Sequence, residues 1–330
     1  MDSNTFINLT FAGYFLASIV YSISLFVNKR QVYISAVTLY ILGFVFNTCA
    51  IIGRWSEGTR PPFSNMYESL LLLAWAIALV YLGINLIYRI KPLGVFAAFA
   101  SLISLGYTSL LDSSMEPLMP ALQSNWLTIH VVALFISYAA FAVSYVAAVA
   151  YLIKRKGMDM GLAIYSICLA VVGPTLIFGL ARGGLLGRFT QSTGWVILLG
   201  LIDMAISLIL WVPLYFVTKA FKIESHMPEE SLLDSVVYKS IAFGFPFLVF
   251  GIIAGAVWAN KAWGRYWGWD PKETWSFITL LVYAIYLHLR YLKGWKGRSA
   301  NLFSIVGFLV VIITFIGVNY IISGLHSYAE

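Results

Sequence analysis

Long apolar runs alternate with short polar connections from one end of the chain to the other. Ten are predicted as membrane spans, at about 11–27, 33–53, 67–88, 92–111, 127–153, 162–181, 195–218, 237–258, 275–292 and 302–322. Each is close to the roughly 20 residues that an α-helix needs to cross the hydrocarbon core of a bilayer. The pattern predicts an all-α, polytopic integral membrane protein of about ten transmembrane helices, forming a single membrane-embedded domain over residues 1–330. The section 155–236 adds one helical hairpin and a polar connection that holds His226 and an acidic run from Glu224 to Asp234.

Composition excludes an ordinary soluble domain, since 61% of residues are hydrophobic and 11% charged. The net charge of +7 is spread as small Lys and Arg clusters between apolar runs, which is the distribution of topology signals, so no nucleic-acid partner is expected. Connections 28–32, 89–91, 154–161, 219–236 and 293–301 share one side and, with Lys239, carry 14 Lys and Arg; the other side carries the remaining 7. The positive-inside rule makes the first set cytoplasmic, or stromal in an organelle, and places both termini outside. Cys49 and Cys168 lie inside apolar runs with no Cys-x-x-Cys pair, which argues against thiol exchange or structural zinc. Met1–Thr10 has no positively charged lead, so the first run reads as a retained span.

The outer connection 258–275 is the most unusual stretch. It holds five Trp in 18 positions, Trp258, Trp263, Trp267, Trp269 and Trp275, with Tyr266 among them. Trp and Tyr favour the headgroup region of any membrane protein. A belt, however, needs one or two rings per helix end, and here Gly264, Gly268 and Pro271 bend the backbone between six. Such a loop suits a large, flat, apolar ligand. In the first outer connection, Ser64 or Asn65 can cap the next helix with Glu68 near its positive end. Arg54 and Arg60 in that connection, like Lys261 and Arg265 near the Trp, suit recognition of carboxylates. In the second outer connection, Ser124 or Asn125 can cap the helix that carries His130 about one turn in.

Four histidines sort by depth. His130 and His326 lie near the outer surface, on the side of the Trp-rich loop. His288 follows Trp275 by 13 residues, roughly 20 Å down a helix, in the inner leaflet. His226 lies in a cytoplasmic connection and takes no role. A lone His in an apolar helix is commonly a packing residue, but a neutral imidazole is also a natural axial ligand for haem iron. The aromatic loop would stack on the porphyrin, and Arg54, Arg60, Lys261 or Arg265 would meet its propionates. His288 has no histidine counterpart at its own depth, so a second ligand there would come from a partner. Asp203, the one acid well inside an apolar run, is a functional candidate set against a packing role.

With these residues in place, the chain resembles the CcsA (ResC) family of cytochrome c biogenesis proteins, which carry a Trp-rich "WWD" loop. The likeness rests on Gly255-Ala256-Val257-Trp258-Ala259-Asn260 leading into Trp263-Gly264-x-Tyr266-Trp267-x-Trp269-Asp270-Pro271-Lys272-Glu273-Thr274-Trp275. It continues through Tyr283-Ala284-Ile285-Tyr286-Leu287-His288-x-Arg290, Ser64-Asn65-x-Tyr67-Glu68-Ser69 and Leu122-Gln123-Ser124-x-Trp126-Leu127-x-x-His130. The resemblance implies haem b as substrate and bound ligand, delivered across or from the membrane and attached to the Cys-x-x-Cys-His motif of apocytochrome c on the outer face. It implies His130 and His326 as outer iron ligands, His288 as the intramembrane ligand, and the loop, including Asp270, as the haem-binding surface. It implies holocytochrome c synthase activity in complex with a CcsB (ResB) membrane subunit, with a thiol-reducing protein keeping the substrate cysteines reduced. Compact members of the family have about eight spans, so the hairpin within 155–236 reads as an insertion. The expected location is the bacterial cytoplasmic membrane, with the thylakoid as the alternative. Two further classes stay open at this point: a redox b-type cytochrome or quinone enzyme, and an ion-coupled transporter using Asp203 and His288.

Overall fold

A computed structural model describes residues 2–27, 29–115, 117–118, 120–185 and 193–322. Ten long helices occur among them: α1 (Ser3–Phe26), α2 (Arg30–Gly58), α3 (Met66–Tyr88), α4 (Lys91–Thr108), α5 (Asn125–Arg155), α6 (Gly157–Arg182), α7 (Thr193–Ala220), α8 (Glu230–Trp263), α9 (Pro271–Lys293) and α10 (Arg298–Ile312). A π-helical turn, Ile313–Gly317, extends α10 to Val318–Tyr320. Each predicted span has its helix. Nine are long and apolar enough to cross a bilayer by length and composition alone, with α4 the exception. The protein is therefore a polytopic, all-α membrane protein.

The helix ends follow local chemistry. Asp2 caps α1 by accepting from the Thr5 amide at 3.1 Å. Asn65 caps α3 by accepting from the Glu68 amide at 2.9 Å. Ser124 Oγ accepts from the Trp126 amide at 3.3 Å as α5 begins. Each cap satisfies an amide that has no partner within its own helix. α2 runs five residues past its predicted end, to Gly58, and stops where Thr59 turns left-handed just before Pro61-Pro62.

Two compact units divide the chain: Met1–Val143 with Pro246–Tyr266, and Ser144–Phe245 with Trp267–Glu330. α5 and α8 each contribute residues to both. In the first unit, α1 and α2 approach so closely that a Cβ on Gly13 would lie 2.8 Å from the Gly43 Cα. Lipid supplies no hydrophobic drive between helices, so close backbone packing at small residues and buried hydrogen bonds hold them. Tyr14, Tyr21, Tyr40 and Tyr81 fill the space beside this contact with tilted and edge-to-face rings at 5.0–6.2 Å. Their hydroxyls are used as well: Tyr81 Oη donates to Tyr21 Oη at 3.0 Å, and Tyr40 Oη pairs with Ser101 Oγ at 2.9 Å.

In the second unit the hairpin α6–α7 turns a polar stripe of α7 onto small residues of α6. Trp211 Nε1 donates to the Gly161 carbonyl at 3.0 Å, and the Asp203 carboxylate lies 3.0 Å from where a Cβ on Gly173 would stand. Asp203 is thus a residue of the hairpin's internal face. The remainder of α7 is apolar and exposed, as a lipid-facing span should be.

One end of the second unit's helices is tied by charge. Asp234 accepts from Arg290 Nη2 at 2.6 Å, the Gly297 amide at 3.0 Å and Asn301 Nδ2 at 2.9 Å. Arg290 also donates to the Trp295 carbonyl at 2.9 Å. Beside it, Asp159 takes Arg298 Nε at 2.6 Å and Arg155 Nε at 2.9 Å, and Arg155 reaches Glu230 at 3.1 Å. Glu230 and Asp234, two acids of the run from Glu224 to Asp234, thereby find counter-charges. Asp234→Ala leaves a nearly buried Arg290 guanidinium without its counter-ion, a loss of about 3–5 kcal/mol. Thermal unfolding of the purified protein in detergent should show a clearly lowered midpoint, and Asp234→Asn, which keeps an acceptor, should lie between the variant and the parent.

Candidate functional site

The sequence spacing Gly251-x-x-x-Gly255 on α8 creates a notch for α5. Side chains four apart share a helix face, so two glycines at that spacing leave one continuous bare strip of backbone. His130 and Leu134 of α5, also four apart, fill it. A Cβ on Gly255 would stand 2.5 Å from His130 Nδ1, and one on Gly251 would stand 2.7 Å from Leu134 Cδ2. His130 Nδ1 lies 2.7 Å from the Gly251 carbonyl oxygen. A carbonyl only accepts, so Nδ1 carries a proton, and in the neutral form of the ring the lone pair falls on Nε2. A ring nitrogen donating to a backbone carbonyl, with its opposite nitrogen holding the lone pair, is the arrangement of metal-ligating histidines. The residues present fit an axial haem ligand.

Aromatic rings continue the surface. Trp258, one turn on from Gly255, is 4% exposed and stacks on His130 at 6.5 Å with 21° between planes. Trp263 meets Trp258 edge-on at 4.8 Å. Lys261, Arg265 and Tyr266 are exposed.

Arg54 and Arg60 take a different part from the one their residue type suggested. Arg54 Nη2 lies 3.3 Å and Arg60 Nη1 2.9 Å from the two oxygens of Glu68, itself 1% exposed. Arg54 also donates to the Ser113 carbonyl at 3.0 Å and lies over the Tyr67 ring. Ser64 donates to Glu68 through its amide and its hydroxyl, at 2.9 and 3.0 Å. The reason is local: the Asn65 cap starts α3 so that Glu68 points back at the connection just where the arginines enter. The two guanidiniums face a carboxylate of the chain itself, inside the protein.

The second unit holds the rest of the Trp-rich stretch. Trp269 has a left-handed backbone, at φ 56. Trp267, Trp269 and Phe277 meet edge-on, with centroids 5.8–6.5 Å apart, and Trp269 is 67% exposed. Asp270 is 8% exposed and forms a capping box with Glu273 at the start of α9. Its carboxylate accepts from the Lys272 amide at 3.1 Å, and Glu273 accepts from the Gly268 and Asp270 amides at 2.7 and 3.2 Å. The acids of the motif thus shape the loop that presents the indoles. Trp275 is half-buried in the first turns of α9, and Thr279 and Thr314 both donate to its carbonyl, at 2.8 and 3.3 Å. Lys272 Nζ donates to Asn319 Oδ1 at 2.8 Å, just past the π-helical turn of α10.

His288 is exposed on the face of α9 that also carries Leu281, Ile285 and Leu292. His326 lies outside the described residues, as does Arg188. His226 is exposed in a 3-10 turn, Ile223–His226. Sequence reasoning missed Gly251 and Asn319, and read Gly255 and Glu273 only as parts of a motif. The two glycines carried a legible signal in their four-residue spacing; Asn319 carried none.

The fold defines a polytopic membrane protein, and His130 with Trp258 and Trp263 gives it an imidazole–indole surface. Comparison with known proteins makes the class specific. The family described as "Cytochrome C assembly protein" matches residues 63–326, and the chain belongs to it, among the CcsA cytochrome c biogenesis proteins. It is 36% identical over 333 residues to the cytochrome c biogenesis protein CcsA of Pyropia yezoensis, covering 98% of this chain and 97% of that one. It is 38% identical over 291 residues to the protein of that name from Microcystis aeruginosa (strain NIES-843 / IAM M-2473), covering 86% and 85%. Among solved structures, the cytochrome c heme lyase CcmF shares the fold, with a TM-score of 0.61 at 16% identity over 96% of this chain. The chain spans 47% of that protein's length, and at this identity the likeness concerns the fold alone. Family membership supports a role in cytochrome c biogenesis and the handling of haem.

The ion-pair cluster makes its own prediction. Glu68→Gln strips the shared counter-charge from two buried guanidiniums and should cost about 3–5 kcal/mol. A fall in thermal midpoint in detergent would register it, and restoring the balance with Arg54→Met in the same chain should recover part of the loss.

Proposed function

We propose that this chain holds haem at its outer surface and attaches it to the Cys-x-x-Cys-His motif of apocytochrome c, acting with a CcsB-type membrane subunit. The observation that carries this reading is the seating of His130: a glycine notch fixes the ring, the Gly251 carbonyl fixes its tautomer, and Trp258 stacks on it. His326 supplies the second outer imidazole. We assign porphyrin contact to Trp263 and Tyr266 and, separately, to Trp267, Trp269 and Trp275, and the propionates to Arg265. Asp270 serves haem through the loop it caps.

Haem b is the substrate. It is first held in the inner leaflet by His288, which sits on an outward face of α9 and takes its companion ligand from the partner. Haem then passes to the outer site. Attachment adds each cysteine sulfur across a vinyl group, and holding both reactants in register supplies much of the acceleration. The histidine of the substrate replaces one outer imidazole as product leaves. A thiol-reducing protein keeps the cysteines available. The location is the bacterial cytoplasmic membrane, with the thylakoid as the alternative.

Absorption spectra of haem bound to the purified protein with its partner test this. His130→Ala and His326→Ala should each lose or perturb the outer haem and abolish cytochrome c maturation, whereas His226→Ala should match the parent. Normal maturation in both outer variants would defeat the proposal. Gly255→Val should reproduce the His130→Ala spectrum with the imidazole intact, because its added methyl groups occupy the ring's seat.

A further inference from the structure

On the first unit, a cleft of about 470 Å³ is lined by Pro120, Gln123, Ser124, Asn125, Trp126 and Lys261. It lies at the ends of α5 and α8 next to the candidate haem ligand. Asn125 opens α5 five residues before His130, about 7.5 Å along the axis, and Lys261 is one turn of α8 beyond Trp258. The lining is mostly polar and neutral: two amides and a hydroxyl, which hydrogen-bond well to a peptide backbone, beside one indole.

Among the described residues lining the cleft Lys261 is the sole ionisable one, and it makes no ion pair with another described residue. Of the other titratable and charged groups on these elements, His130 lies further along α5, and Arg265 follows Lys261 just past the end of α8. Asp112, in the connection that leads to the cleft, is turned onto the amide and hydroxyl of Ser114, both at 2.9 Å. The first-turn amides of α5 add further positive potential. A cationic, partly enclosed surface of this kind favours the thiolate over the thiol.

We infer that this cleft is the subsite for the cysteine-bearing segment of apocytochrome c, and that Lys261 holds the incoming sulfur as a thiolate. The inference rests on the function proposed above and assigns Lys261 to the peptide rather than to a propionate. The thiol proton leaves to water as the thiolate forms. Sulfur then bonds to the vinyl carbon nearest the ring, the carbon–carbon double bond becomes single, and the outer vinyl carbon takes a proton from water. Atoms and charge balance, and nothing is oxidised or reduced.

The test is the pH dependence of thioether formation on a reduced synthetic peptide carrying Cys-x-x-Cys-His, in membranes that hold the intact protein and its partner. In Lys261→Met the acidic limb of the rate should move up by about one unit, with the rate at neutral pH roughly ten-fold lower. Lys261→Arg should restore the parental profile, and the haem spectrum should stay parental in both. Asn125→Leu, which leaves the charge in place, should raise the peptide KM more than it lowers kcat. An unchanged pH profile in Lys261→Met would overturn the inference. So would a changed preference of that variant between haem and its dimethyl ester, which would place a propionate at Lys261. Thioether formation that survives His130→Ala would instead defeat the parent reading, and the spectrum separates the two failures.

Discussion

The close approach of two helices at a strip of bare backbone underlies the outer site. Within a bilayer, surrounding lipid is as apolar as the side chains, so helices gain little from hiding leucines against each other. They hold where backbones come near and polar atoms pair. Gly251 and Gly255 let α5 lie against α8, and the same closeness brings a backbone carbonyl within reach of the His130 ring. One contact thus packs the helices, aims the imidazole and sets its tautomer. A larger residue at either glycine would disturb all three.

Charge plays a complementary part at the ends of the helices. Glu68 collects two arginines and the Ser64 amide at the start of α3, while Asp234 collects Arg290, Asn301 and the Gly297 amide at the inner end of α9. In each case one carboxylate, fully used, draws together segments distant along the chain. A half-satisfied cluster at either place would be costlier than none, since a buried charge without a partner is strongly destabilising. The Asp270–Glu273 capping box works on a smaller scale, fixing the backbone that carries Trp267 and Trp269. Asp270 and Glu273 thus help to build the loop, while Lys261 and Arg265 stay exposed.

Much was legible along the chain because bilayer physics is written in runs of residues. Helix length, span number and membrane character follow from apolar stretches, and capping from Asn65 and Ser124 follows from their place just ahead of such stretches. The Trp-rich loop announced itself by composition. The pairing of Arg54 and Arg60 with Glu68 was not legible, because residue type reveals affinity for a carboxylate but not which carboxylate is nearest. Asn319 was invisible, since its contact with Lys272 spans 47 residues and depends on a π-helical turn that reorients the end of α10.

What the amino-acid order determined alone was therefore everything governed by local periodicity: helices, their ends, their membrane character, and the kinds of side chain at the outer surface. Tertiary structure decided which of those side chains were already spoken for. Glu68 took the arginines, Gly251 took one nitrogen of His130, and Asp234 took Arg290. Hydrogen bonds and ion pairs act over a few ångströms in space, without regard to distance along the chain, and only the folded arrangement sets those separations.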